Sequence, residues 1–315
     1  FNLTRQFKYF IYHVYLRSVM EKVDPDILHV HHLDFRFPPT YLERNRLYED
    51  VPIVTAVHGF HSIKFTDGDL QKNMKSLISS NLCVAENLIL NSTSVEKELE
   101  KFFSESLDKF NFYTGINAID TNKFYQTSTD SNNTDNLLYV SRLEERKGVY
   151  TLIRALGKNK QQLSEFHCTL VGEIEDRARV ETLIDRFGLN NTVSLEGRVP
   201  NLRNYYNSAD LLVVPSVHED FGLVYLEAMA CGTPVIGTTG VPKEVIPSND
   251  VGYRAEPKNP QDLYEKIKNS LDKNWEYSKI IDHAQSYSWS NKINEYKQIY
   301  SRLSKGRPID IAQAK

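Results

Sequence analysis

The strongest constraint on this chain is an alternation. Short apolar runs, at Ile27–Val30, Ile53–Val57, Leu88–Leu90, Leu137–Val140, Cys168–Val171, Val193–Leu195, Leu211–Val214 and Val235–Ile236, are separated by longer polar and amphipathic stretches. In Ser94–Phe103, Val149–Leu156 and Arg177–Phe187 the apolar residues recur with helical spacing. Strands that alternate with helices form parallel sheets, because a parallel neighbour needs a crossover and the crossover helix covers a face of the sheet. The fold class expected is therefore α/β. A length of 315 residues suffices for two such domains, each with its own core. One segment breaks the rhythm: Gln126–Asn136 (QTSTDSNNTDN) is polar, without apolar periodicity and rich in turn formers. It reads as a linker at 126–136 between a first domain at about 1–125 and a second at 137–288. The tail from 289 to 315 opens with a helix, Trp289–Leu303, that sets Trp289, Ile293, Tyr296 and Ile299/Tyr300 on one face.

Composition removes several function classes. The net charge is −3 and no basic face concentrates, so nucleic acid is not an expected partner. Cys83, Cys168 and Cys231 form no CxxC pair, which fits a reducing compartment and neither a disulfide framework nor a zinc ribbon. No apolar run reaches the ~20 residues of a membrane-spanning helix, and Phe1–Arg17 lacks a small-residue cleavage site. The expectation is a cytoplasmic protein. The helix-like opening Leu3–Val19 sets Phe7, Phe10, Ile11 and Val14 on one face, with Lys8, His13 and Arg17 near its edges. Packing on the first domain's sheet is the simpler expectation; peripheral contact with the inner face of the cell membrane is the alternative.

Chemistry concentrates after the run Leu211–Val214, in PSVHEDFGLVYLEAMACGTPVI (Pro215–Ile236). The C-terminal end of a parallel strand is where open α/β sheets hold ligands. Gly222 permits close backbone approach, and Leu223–Ala230 reads as a helix whose first free N–H groups, on Gly222, Leu223 and Val224, suit a phosphate. Glu219 before the turn and Glu227 inside the helix can bracket a ligand on both sides of that phosphate. LLYVSRLEERKG (Leu137–Gly148) supplies positive charge: Arg142 at a strand end and Lys147 at the next helix start.

These segments resemble the retaining GT-B glycosyltransferases that include glycogen and sucrose synthases. HEDFGLVYLEAMACGTPVI is similar to their E-x7-E signature, and SRLEERKG to their diphosphate clamp. NAIDTNKF (Asn117–Phe124) resembles the N-G-[VI]-D-x-x-x-F segment before the linker, with Ala118 in the glycine position. PDILHVHH (Pro25–His32) and VTAVHGF (Val54–Phe60) resemble the N-terminal strands, and the terminal helix resembles one that crosses back to the first domain. The resemblance implies two Rossmann-like domains with parallel sheets facing a cleft. It implies transfer of a sugar from a nucleotide-diphosphate sugar, a UDP-sugar foremost, to a glycan, lipid-linked or protein acceptor, with retention and without a metal or other cofactor. Glu219 would contact donor-sugar hydroxyls and Glu227 the ribose. Arg142, Lys147 and the Gly222–Val224 amides would hold the diphosphate, with Asp220 and Phe221 in the same donor loop, and His58 would face the donor sugar.

The chain departs from that family in having no glycine before Gly59, where a glycine-rich loop is expected. That leaves a second expectation, a silent nucleotide-sugar-binding subunit or an N-terminally truncated fragment. A GT-B-like phosphorylase or epimerase is a third. The remaining motifs have plainer readings. Asp24–Asp26 precedes its strand, at the wrong end of the sheet for a ligand, and Asp67–Asp69 reads as a turn around Gly68. His29, His31 and His32 alternate across a strand, so neighbours point to opposite faces and a metal site is not expected.

Overall fold

The computed structural model describes residues 15, 17–31, 51–60, 68–82, 87–103, 110–114, 117–127, 135–159, 161 and 165–304. Contacts divide the chain into two units, residues 1–116 with 293–315, and residues 117–292.

Unit 1 carries a four-stranded parallel sheet in the order β1-β2-β3-β4, with β1 Leu28–His31, β2 Ile53–Val57, β3 Asn87–Leu90 and β4 Asn111–Thr114. Helices α1 (Gly68–Leu82) and α2 (Thr93–Phe103) provide crossovers. Strand alternation sorts the core into two layers. Leu88 and Leu90 join Ile78, Leu82, Val95 and Leu99 of α1 and α2 on one face. Ile89 joins Val54, Ala56 and Ile299 on the other. Ile299 belongs to α9 (Trp289–Leu303), which enters this unit from Ile293 onward. Tyr296 and Tyr300 pack beside it as the helical face requires, but Trp289 is 50% exposed, so that face starts further along than its pattern suggests.

Unit 2 carries a six-stranded sheet, β10-β9-β8-β5-β6-β7, again entirely parallel. Its strands are β5 Asp135–Val140, β6 Phe166–Val171, β7 Val193–Gly197, β8 Leu211–Val213, β9 Val235–Thr238 and β10 Gly252–Ala255. Helices α3 (Val149–Lys158), α4 (Arg177–Arg186), α5 (Leu202–Ser208), α6 (Leu223–Ala230), α7 (Pro260–Leu271) and α8 (Tyr277–Gln285) surround it. With helices on both faces the central strands must be apolar throughout, and Leu137–Val140, Leu211–Val213 and Val235–Thr238 are buried at every position. The caps read as their residues dictate. Asp176, Asn201 and Asn259 each accept from backbone N–H groups at the starts of α4, α5 and α7, and Pro260 opens α7 where no amide is needed.

Three expectations are corrected here. The polar stretch expected to link domains through Asn136 gives way to β5 at Asp135, because Asn136 N–H is held by Asp210 at 2.7 Å. Gly68 and Asp69 do not form a turn; they open α1. Two strands, β4 and β10, were not signalled by an apolar run. Of the opening helix, residues 15 and 17–23 are helical, while its apolar positions Phe7, Phe10, Ile11 and Val14 lie outside the described residues, as do His32, Asp67 and Cys83. Cys168 and Cys231 are buried free thiols.

Candidate functional site

Strand β5 is the first strand of unit 2, yet it lies inside the sheet, with β6 on one side and β8 on the other. The sheet order reverses between β5 and β8, and doubly wound sheets bind ligands in the crevice outside the C-terminal strand ends at such a switch point. Arg142 and Lys147 follow β5; Glu219 and Gly222 follow β8. Residues 72 positions apart are thus brought onto adjacent strands.

The two loops are stitched together by backbone. Gly148, at φ 79°, ends a 3₁₀ turn over Glu145–Lys147. A Cβ there would sit 2.0 Å from the Pro215 carbonyl oxygen, so only glycine lets the loops touch. Val217 N–H donates to Arg146 O at 2.9 Å, and the buried Tyr139 hydroxyl donates to Arg142 O at 2.8 Å from below. Glu219 N–H donates to Gly240 O at 3.0 Å, which ties in the loop after β9.

Within this frame Lys147 Nζ bridges both carboxylate oxygens of Glu219, at 2.7 and 2.8 Å, and Ser216 Oγ donates to Glu219 Oε1 at 2.7 Å. The side chains are only 14% and 11% exposed, which makes this a largely desolvated ion pair. Glu219 Cγ lies 3.7 Å from the position a Cβ on Gly222 would take, so the pair stands beside the mouth of α6. Gly222 caps that helix at φ 98°, ψ 64°, without a side-chain cap. Among the described residues the N–H groups of Gly222, Leu223 and Val224 have no hydrogen-bond acceptor. Unsatisfied amides, the positive end of a helix and a lysine make an anion site. Leu223 is 39% exposed at its rim.

The other expected residues divide. Arg142 is 56% exposed and pairs with Glu144 at 3.1 Å, a carboxylate it shares with Arg146 at 3.2 Å. Asp220 is held by His218 Nε2 at 3.1 Å. Phe221 is buried in the core with its ring edge-on to Tyr287, so it can offer a ligand only its backbone. Val224 is half-buried against the same core. Glu227, one turn into α6, accepts from Tyr206 Oη at 3.0 Å. Burial pushes its pKa up, against the pull of the Tyr206 hydrogen bond and of Lys123. Lys123 and Phe124 come from the Asn117–Phe124 segment: Asp120 caps its turn through Asn122 and Lys123 N–H, and Phe124 stacks edge-on to Tyr206 at 5.8 Å.

His58 follows β2 in unit 1. Its Nε2 hydrogen-bonds His31 Nδ1 at 2.9 Å and its Nδ1 meets Asn91 Nδ2 at 2.6 Å, so residues at the C-terminal ends of β1, β2 and β3 form one chain. The His31 ring stacks on His58 at 5.2 Å and on His29 at 4.5 Å. His29 and His31 share a face, as alternation demands. His29 bonds Tyr300 at 2.7 Å, and burial, with the neighbouring His31 and His58, lowers its pKa to about 4.

Sequence reasoning missed Ser216, Tyr206, Asn91 and His31. Ser216 stands three residues before Glu219, a visible signal; Tyr206 carries none, since its contact with Glu227 exists only once α5 packs beside α6.

Residues 121–287, which contain both loops of the crevice, match the model of the family described as glycosyl transferases group 1. The chain belongs to this family. Residues 2–92 match the glycosyl transferase 4-like family, across His58 and Asn91. A Methanocaldococcus jannaschii protein named as an uncharacterized glycosyltransferase is 31% identical over 228 residues, covering 66% of this chain and 58% of that protein. The N-acetyl-alpha-D-glucosaminyl L-malate synthase of Bacillus anthracis is 28% identical over 251 residues, covering 76% and 64%. This group 1 chain thus spans about 60% of the length of such relatives. Among solved structures, sucrose-phosphate synthase from Thermosynechococcus elongatus superposes with a TM-score of 0.77 at 22% identity, over 94% of this chain and 78% of that one. HepE of Anabaena, in complex with UDP and glucose, gives 0.71 at 21%, over 92% and 80%. Likeness at that identity shows the fold, and the fold is GT-B. No helix among the described residues is long and apolar enough to cross a membrane.

Proposed function

We propose that this group 1 chain is a retaining glycosyltransferase that moves a sugar from a nucleotide-diphosphate sugar, a UDP-sugar foremost, to a glycan, lipid-linked or protein acceptor, without a metal, in the cytoplasm. The observation that carries the reading is the Lys147–Glu219 pair seated beside the open amides of Gly222–Val224. A diphosphate entering there meets N–H donors, a helix dipole and a lysine in a desolvated crevice, where fixed dipoles act more strongly than in water. HepE, which binds UDP and glucose, and the glucosaminyl-transferring name of the Bacillus relative support the same substrate class.

In this reading Lys147 exchanges part of its contact with Glu219 for a phosphate oxygen, and the released carboxylate oxygen accepts donor-sugar hydroxyls. Arg142, on the rim, closes on the diphosphate from outside by leaving Glu144. Glu227 takes the ribose hydroxyls, with Tyr206 holding its other side. Asp220 and Leu223 border the ligand, and Phe221 and Val224 contribute backbone. The leaving phosphate takes the acceptor's proton during front-face attack, which is why neither glutamate acts as a hydrolase's nucleophile. His58, in unit 1, can bond a ligand only by giving up its bond to His31 or to Asn91.

The test is transfer or slow hydrolysis of UDP-, GDP- and ADP-sugars by the wild type and by Glu227→Ala. A wild type that turns over a donor, with the variant reduced by at least about 100-fold in kcat/KM, supports the assignment; this is roughly 2.7 kcal/mol of lost transition-state binding. Equal kinetics in the variant overturns it.

A further inference from the structure

We propose that unit 2 holds a second anion site, a pocket for a small phosphate-bearing solute between β10, α7 and the loop after β9. A cavity of about 170 Å³ opens there, with Lys243 from the loop, Tyr253 and Arg254 from β10 and Lys266 from α7 in its wall. Ser248 and Asn249 complete the polar lining, and no carboxylate lines it. A cavity of that size holds about one six-membered ring. A phosphate with a small substituent fits it, and a nucleoside diphosphate does not.

One cation of the three is fixed in place, and the two lysines reach the pocket from exposed and half-buried positions. Arg254 Nη2 donates to Thr239 O at 3.0 Å and to Val241 O, so the guanidinium is fixed before any ligand arrives. Its Nε is buried with no acceptor. Burial pulls its pKa below the ordinary value, and the more distant Glu244 offsets this only partly. Of the three cations only Lys266 has an ion-pair partner among the described residues, Asp262 at 3.8 Å, near the limit for such a contact. Three like charges around one partly open space repel each other, and a dianion replaces that repulsion with attraction. A guanidinium fixed in one plane suits paired phosphate oxygens, and lysines adjust to the rest.

The pocket is separate from the donor crevice. It lies on the outermost strand of the sheet, with β9 between it and β8, and shares no lining residue with Arg142, Lys147 or Glu219–Val224. It therefore stands whether or not the proposed transfer activity does.

The test is calorimetric titration of inorganic phosphate into the full chain at constant ionic strength, which removes general screening. Wild type, Lys147→Gln and the double variant Lys243→Gln/Lys266→Gln are compared. Both lysines are half-exposed or exposed, so the double variant should keep the wild-type Tm in phosphate-free buffer; should it unfold, Lys243→Gln alone takes its place. The proposal expects phosphate binding that survives Lys147→Gln and weakens by at least about tenfold in the lysine variant, a factor worth about 1.4 kcal/mol. No binding, or binding removed by Lys147→Gln and untouched by the lysine variant, overturns it. A parallel arm uses vesicles of phosphatidic acid: vesicle binding lost in the lysine variant, without binding of free phosphate, overturns the solute in favour of a lipid headgroup.

Discussion

At Lys147 a single side chain holds a buried carboxylate in place beside the mouth of α6. Its ammonium is the main compensation for a Glu219 carboxylate that is 11% exposed, with Ser216 as second donor. Removing one partner of a desolvated pair leaves the other charge stranded, at a cost of roughly 3–5 kcal/mol. Lys147→Gln should therefore lower the urea midpoint clearly, and Lys147→Gln/Glu219→Gln should recover part of the loss, a coupling read by a double-mutant cycle. Glu227 shows the opposite economy. Its folded pKa is raised, so the folded state holds a proton more tightly than the unfolded chain, and the stability this gives at low pH is lost as pH rises through the folded value. Glu227→Gln should then be more stable than wild type at neutral pH, with the difference closing as pH falls toward about 4; thermal melts across that range check it. His29 behaves in the third way: its folded pKa is lowered from 6.5 to about 4. The unfolded chain takes up its proton first, so this contribution is intact above pH 6.5 and drains away as pH falls toward 4. Acid unfolding of His29→Leu should show a shallower decline than wild type over that window. None of these three environments is visible in sequence. Lys147 and Glu219 stand out by residue type and loop position, but their contact spans 72 residues and forms only when β5 and β8 pair.

Among elements, α6 is the one on which the site depends, and it was legible because its signals are local. Gly222 stands before an apolar octet, Leu223–Ala230, and the structure starts and stops the helix at those residues. The glycine is required twice over: φ is 98°, and a Cβ would press to 2.7 Å from the Tyr225 ring. Gly222→Ala should cost about 1–3 kcal/mol and disturb the Tyr225 hydroxyl that bonds Val214 O at 2.6 Å. Urea denaturation checks the cost, and loss of nucleotide binding beyond that cost would show that the mouth itself has moved. The strands that sequence missed share a physical reason. Strand β4 (NFYT) and β10 (GYRA) are each one edge of their sheet, where polar residues are tolerated, and both mix polar with apolar positions; the opposite edges, β1 and β7, do carry short apolar runs, so an edge permits a weak signal without requiring one. The central strands were readable because burial on both faces demands apolar residues at every position.

For the whole molecule, the alternation of strand and helix was sufficient to read two parallel-sheet units, and the family match and the GT-B likeness agree with it. The division of the chain was less legible. Asn117–Tyr125 belongs with the second unit, because Ile119 pairs with Ser288 and Phe124 packs on Tyr206, contacts that no local pattern announces. That placement brings Lys123 into the electrostatic surroundings of Glu227. In the proposed reading a diphosphate docks on the mouth of α6 with Lys147 beside it. The most direct measurement is calorimetric binding of UDP, GDP and ADP to the full chain and to Lys147→Gln at matched ionic strength. Binding of at least one nucleotide, weakened by about tenfold or more in the variant, is the result predicted. Equal affinity in wild type and variant, or no binding of any of the three, contradicts it.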